Sequence, residues 1–266
     1  AGTTSAYYYG VAVDSSGYVY AAGTSSGQTT YNFRNSITAT GTASTNVLLV
    51  KYDSTGKAQW AETLTSGTAG ASYTGVAADG SGNIYAAGES YGTVTYGFGN
   101  GITATGTDIG GTGNVLLVKY NSSGAAQWAE TLTTGNGNNG TTFYGVAVDG
   151  SGNVYAVGYG YGRTSYGFGN GVTASGAASG GTNVMLVKYQ CGASYASLHL
   201  AISARIRLPS ALQTKTCGMV WIGSAGRILQ AGRQPPQGEQ HACLHARCRM
   251  DLKAHCRLPK SLDDDP

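Results

Sequence analysis

One phrase is written three times in the first 160 residues: YGVAVDSSGYVYAAG at Tyr9 to Gly23, TGVAADGSGNIYAAG at Thr74 to Gly88 and YGVAVDGSGNVYAVG at Tyr144 to Gly158. The spacings are 65 and 70 residues. Self-similarity at this scale is the mark of a repeat architecture, in which each unit buries its apolar face only by stacking on the next copy. Whatever the chain does, it must fold as stacked equivalents of one supersecondary unit.

Each unit carries four elements in the same order. In the second copy they are GVAAD from Gly75 to Asp79, NIYAAGES from Asn83 to Ser90, NVLLVKYN from Asn114 to Asn121 and AAQWAETLT from Ala125 to Thr133. DGSG joins the first pair and NSSG the second. Both are short and rich in residues that hydrogen-bond their own backbone, which predicts two hairpins. Val, Ile, Leu, Tyr and Trp dominate the elements, and helix-period patterning is absent from the first 190 residues. The class is all-β. A four-stranded antiparallel unit that must stack reads as a blade of a β-propeller.

The units, starting near residues 7, 72 and 142, are long for blades, which commonly take roughly 40 to 50 residues. The surplus lies between the second and third strands: GQTTYNFRNSITATGTAST, YGTVTYGFGNGITATGTDIGGTG and YGRTSYGFGNGVTASGAASGGT. TVTYGFGNGITATG predicts an extra hairpin projecting from one face, because GNG supplies the positive φ angles of a tight turn. Its aromatics Tyr91, Tyr96 and Phe98, with Tyr159, Tyr161, Tyr166 and Phe168 in the third copy, are the candidate ligand contacts, since exposed tyrosine gives large contact area at low entropic cost. The competing reading has them bridge neighbouring blades. Serine at Tyr96 and Tyr166 separates the two, because only bridging residues would carry stability.

GVAVDGSGNVYAVG followed by NVLLVKYNSSGAAQWAETL resembles the bacterial SBBP-type β-propeller repeat, with its D-x-S-G-N-x-Y turn, VKY strand and terminal Trp strand. The resemblance covers residues 7 to 189. It implies a secreted or surface-exposed bacterial protein without a known enzymatic activity, acting as a scaffold or binding module for a protein or glycan ligand. It supplies no catalytic residues. YDSTGKAQW is also similar to the Trp-containing repeats of quinone-dependent dehydrogenase propellers, which stands as the alternative function, although no cofactor-binding set accompanies it.

The third copy ends at NVMLVKY, Asn183 to Tyr189, without its Trp strand. About three blades are fewer than the four to eight of a closed propeller, so the chain reads as a partial propeller, a fragment or an arc whose open blade ends invite self-association. Beyond about residue 190 the vocabulary changes. Residues 1–190 hold six Lys/Arg against eight Asp/Glu, and residues 191–266 hold ten against five, with all five Cys, all four His and all five Pro. A break inside a hairpin is an unusual domain boundary. The tail, 191–266, therefore reads as irregular or weakly helical, disordered or frameshift-derived, with helical character at Ala196 to Leu208 ended by Pro209. A zinc site among His241, Cys243, His245, Cys248, His255 and Cys256 is the rival reading, although no C-x2-C pair is present.

Chemistry is scarce in the repeat body, which has neither His nor Cys and so lacks the parts of a nucleophilic triad. Asp14, Asp79 and Asp149 are one repeated position, as are Glu62 and Glu130. Repetition assigns the aspartates to turns accepting backbone N–H bonds, and Trp60 and Trp128 to packing of the fourth strand. No catalytic, cofactor or metal residues are nominated. The mildly acidic body argues against nucleic acid, and no apolar run approaches the length of a membrane helix.

Overall fold

In a computed structural model, residues 5–107, 112–135, 140–162, 165–169, 172–178 and 180–190 are described, together with three two-residue strands further on. The chain separates into two compact units, Ala1–Arg207 and Leu208–Pro266. The first contains three four-stranded antiparallel sheets. The first sheet runs β1 (Ala6–Val13), β2 (Val19–Ser26), β5 (Thr45–Tyr52), β6 (Ala58–Thr63), with the hairpin β3 (Thr30–Asn32) and β4 (Thr38–Thr40) inserted between its middle strands. The second is β7 (Ala71–Ala78), β8 (Ile84–Tyr91), β11 (Gly113–Tyr120), β12 (Ala126–Thr131), with the hairpin β9 (Thr95–Gly97) and β10 (Thr103–Thr105). The third is β13 (Thr141–Val148), β14 (Val154–Tyr161), β17 (Thr182–Tyr189), β18 (Leu198–His199), with β15 (Ser165–Gly167) and β16 (Thr173–Ser175). This is an all-β partial propeller of three blades. Among the described residues no helix is long and apolar enough to cross a membrane.

The four predicted strands of the first two units and the three of the third are present, and the third sheet gains a fourth strand from beyond the repeats. Where blades one and two pair Lys51 with Trp60 and Lys119 with Trp128, blade three pairs Lys188 with His199 and Tyr189 with Leu198. Two residues of the tail thus take the edge that the Trp strand holds in blades one and two. The compositional break at residue 190 and the compact-unit boundary at Arg207 differ because the chain returns to β17 after the break. Leu198–His199 lies inside the stretch expected to lean towards helix, and pairing with β17 makes it strand instead. The only other described tail residues form the hairpin β19 (Trp221–Ile222) and β20 (Ile228–Leu229). The remaining tail, with its six candidate zinc ligands, lies outside the described residues.

Blades pack through their first strands: β7 lies against β1 on one side and β13 on the other. The repeated phrase explains how. Each first strand carries an irregularity before its glycine, at Tyr8/Gly10, Tyr73/Gly75 and Phe143/Gly145. At that point the backbones of neighbouring blades nearly touch. A Cβ on Gly10 would lie 3.1 Å from Gly75 Cα, and one on Gly75 would lie 3.0 Å from Gly145 Cα. The glycine that ends the phrase serves the same irregularity from within the blade, because a Cβ on Gly88 would overlap the carbonyl oxygen of Ser72. Outside this seam, apolar faces close over one another. Tyr20, Val47 and Leu49 of blade one share a buried cluster with Tyr73, Leu116 and Val118 of blade two. Tyr85, Val115 and Leu117 on the opposite face of blade two share another with Phe143, Val154 and Val187 of blade three.

Substituting Gly75→Ala forces the second seam apart against backbone atoms that cannot rotate away. We expect a loss of about 1–3 kcal/mol, as for other overpacked sites, read as a lower denaturant midpoint. Gly80→Ala, with nothing within 4 Å of its added Cβ, is the control and stays near neutral.

Candidate functional site

The turns come first because they fix where each strand begins. Asp79 accepts the Ser81 and Asn83 amides on Oδ1 at 2.9 Å each, and the Asn83 amide side chain and Tyr85 hydroxyl on Oδ2 at 2.8 and 3.1 Å. Asp149 repeats all four bonds, through Ser151, Asn153 and Tyr155. Asp14 makes the equivalent bonds to Ser16, Tyr18 and Tyr20. The Asn153 side-chain amide, followed by backbone amides, draws the Asp149 carboxyl down to about 2. The second hairpin uses the same device: Asp53 in blade one and Asn121 in blade two each accept two backbone amides and a hydroxyl. These aspartates are turn formers, as their repetition implied.

The inserted hairpin forms as expected, with Gly99, Asn100 and Gly101 at φ of 86, 52 and 72°. Copy one uses Arg34, Asn35 and Ser36 at φ of 69, 51 and 61° in the same turn, a conformation two of those residue types adopt reluctantly. The hairpin does not stand free, however. The Gly97 carbonyl accepts the Thr65 amide and the Gly97 amide donates to Ser66, so β9 bonds to the segment leaving blade one. Thr134 and Gly167 form the equivalent bridge between blades two and three.

This placement corrects the picture of an exposed aromatic insertion. Tyr96 and Phe98 are wholly buried, and Tyr166 and Phe168 are 3% and 2% exposed. The Tyr96 hydroxyl donates to the carbonyls of Gly70 and Tyr91 at 2.9 and 2.7 Å, tying the hairpin to the chain entering β7. Tyr91 is half-buried, and its hydroxyl donates to Glu89 Oε1 at 2.6 Å while Glu89 Oε2 accepts from Thr142 of the next blade. Of the seven nominated residues only Tyr161, 40% exposed, is open to solvent, and Tyr159 is half-buried.

An asparagine clamp escaped the sequence reading. Asn46 accepts the Thr42 and Ala43 amides on Oδ1 and donates to the Ala43 and Gly27 carbonyls. Asn114 and Asn183 repeat the arrangement, each holding both ends of its hairpin. The signal was present, since an asparagine precedes the apolar run of the third strand in every copy. The open blade ends expected from the blade count appear as exposed apolar surface on the outer blades. Val11 and Val13 on blade one are 68% and 62% exposed, and Tyr144, Val157, Val184 and Leu186 on blade three are 60%, 46%, 62% and 36% exposed. Tyr144 packs on Tyr159 with ring centroids 5.6 Å apart.

Between blades one and two the polar contacts converge on one turn. The Ser122 carbonyl accepts both the buried Lys51 Nζ and the Trp60 indole N–H, each at 3.2 Å, and Lys51 Nζ also lies 3.9 Å from the Tyr18 ring centroid. Trp60 and Trp128 are thus packing residues, each about 6 Å from a core tyrosine of its own blade. Glu62, half-buried and facing Tyr73 and Tyr120, has its carboxyl pushed up to about 7 by burial. Compared with models of known protein families and with curated proteins, the chain matches none.

Two predictions follow from this geometry. Tyr96→Ser removes a buried ring and the hydroxyl that ties its hairpin to Gly70 and Tyr91, so stability falls by about 3–5 kcal/mol, whereas Tyr144→Ser at an exposed ring stays within about 0.5 kcal/mol; chemical denaturation compares them. The folded Glu62 carboxyl holds a proton that the unfolded chain has already released, so its contribution declines as pH rises from about 4.5 to about 7 and is flat above. Glu62→Gln therefore gains stability over the parent at pH 8 and matches it near pH 4, which melting curves at the two pH values test.

Proposed function

We propose that the chain is a non-enzymatic β-propeller scaffold or binding module, of the secreted or cell-surface bacterial kind that its SBBP-like repeats imply. The observation that carries this reading is where its polar and apolar groups are used. The repeated aspartates and asparagines are engaged in turns and clamps, each accepting several backbone donors. Apolar side chains in contrast stand exposed on the outer faces of blades one and three. A contiguous exposed apolar surface marks an interaction site. Its tyrosines, Tyr144 with Tyr159 and Tyr161, are of the type that recognition surfaces favour.

A quinone-dependent enzyme would carry a chromophore and respond to calcium. The scaffold reading expects no visible absorbance in protein purified from its native host and no change in melting temperature between calcium and chelator. A calcium-dependent rise, or a bound quinone spectrum, would replace this reading with the enzymatic one.

A further inference from the structure

Every blade offers the same two faces, and the chain twice records how they fit. On the leading face, Ala22, Val47 and Leu49 of blade one are wholly covered by blade two, and Ala87, Val115 and Leu117 of blade two are wholly covered by blade three. The same positions in blade three are Val157, Val184 and Leu186, which are 46%, 62% and 36% exposed. On the trailing face, Val76 of blade two is 8% exposed under blade one, whereas its counterpart Val11 in blade one is 68% exposed. The seam glycines agree. Gly10 meets the backbone of Gly75 and Gly75 that of Gly145, but a Cβ on Gly145 would meet only the Val157 side chain, so its seat is open.

We propose that the leading face of blade three is occupied by the trailing face of blade one from a second copy of this chain. The argument is continuity with the two internal interfaces: on blade one's trailing face the hairpin already covers Leu48 and Val50, and the part left open, its first strand, is the part that meets the preceding blade at the seam glycines in both internal contacts. The proposal rests on the reading of these faces as contact surfaces and names their partner. Each copy presents one half of each kind, so the contact is head-to-tail and propagates until a ring closes or a filament grows.

Sedimentation velocity on the full chain tests this. The parent should gain mass with concentration, at least about doubling as each open face finds a partner. Val184→Lys spoils only the leading face and Val11→Lys only the trailing face, and each variant alone should remain monomeric. Their equimolar mixture retains one good face of each kind and should form a dimer that grows no further. Circular dichroism and a cooperative melting transition check folding, with Leu186→Lys and Val13→Lys as replacements should the first pair misfold. A parent that is monomeric at every concentration overturns the proposal, as does either variant associating like the parent. A mixture that stays monomeric while the parent associates also overturns it, since that pattern means pairing of like faces. Monomeric behaviour leaves the non-enzymatic reading standing, and a bound cofactor would remove that reading without bearing on assembly.

Discussion

The contact between backbones at Gly10, Gly75 and Gly145 sets the geometry of everything else in the repeat region. Sheets ordinarily stack about 10 Å apart, with side chains between them. At this seam nothing separates neighbouring first strands, so the blades meet at their inner edges. Away from the seam the space fills with side chains, among them Ala22, Ala86, Leu49, Leu116 and Tyr120. The irregularity before each seam glycine is what turns the strand to permit this approach, and it requires the second glycine of the phrase. Gly23, Gly88 and Gly158 each lie under the carbonyl of the residue two places before that irregular step. The phrase therefore repeats as a unit because its two glycines solve one steric problem together.

Because the first strands are pinned at one edge, the other strands need separate means of holding register. Three polar devices supply it, each local and each repeated. The aspartate turn fixes the first hairpin, the Asp53 or Asn121 turn fixes the second, and the asparagine clamp closes the long insertion at its base. A buried asparagine amide left without partners costs about 1–3 kcal/mol, so the clamp also specifies where the insertion must end. Close packing reinforces that choice, since a side chain at Gly106 would strike Asn114. The hairpin so held then bonds across to the preceding blade, at Ser66 and again at Thr134, which makes the insertion a second joint between blades in addition to the seam.

The fold class, the strand order and the aspartate turns were legible in the sequence because each depends on local residue type at fixed spacing. Trp60 and Trp128 were also read correctly as packing groups, on repetition alone. Tyr96 and Phe98 were expected at an exposed surface and are buried instead. Their hairpin looks like a free excursion on one strand's worth of sequence, and its burial comes from bonds to Thr65 and Ser66, some thirty residues earlier in the previous copy. The same non-local cause hid the edge strand at Leu198–His199. No pattern in that segment announces a strand, and its pairing depends on the edge that β17 leaves after the repeat vocabulary stops. The exposed valines of the outer blades are spelled like their buried counterparts and differ only in having no neighbour, so the blade count pointed to them and their residue type did not.

That last point bears on what kind of object the arc is. In a repeat protein the stability of each unit is roughly its own plus the interfaces it shares, and only the middle blade shares two. Blade two is accordingly where Tyr73, Tyr85 and Tyr120 are all wholly buried, whereas Tyr8, the blade-one counterpart of Tyr73, is 44% exposed although it keeps the equivalent hydroxyl bond, to Tyr52 at 2.8 Å. The same side-chain pair thus contributes differently according to whether another blade lies over it. Fully burying a valine or leucine is worth about 1.5–3 kcal/mol, so the uncovered residues at each end represent free energy that the repeat gains when a surface of matching shape covers them. Surfaces of that shape exist in this chain as the opposite faces of its own outer blades.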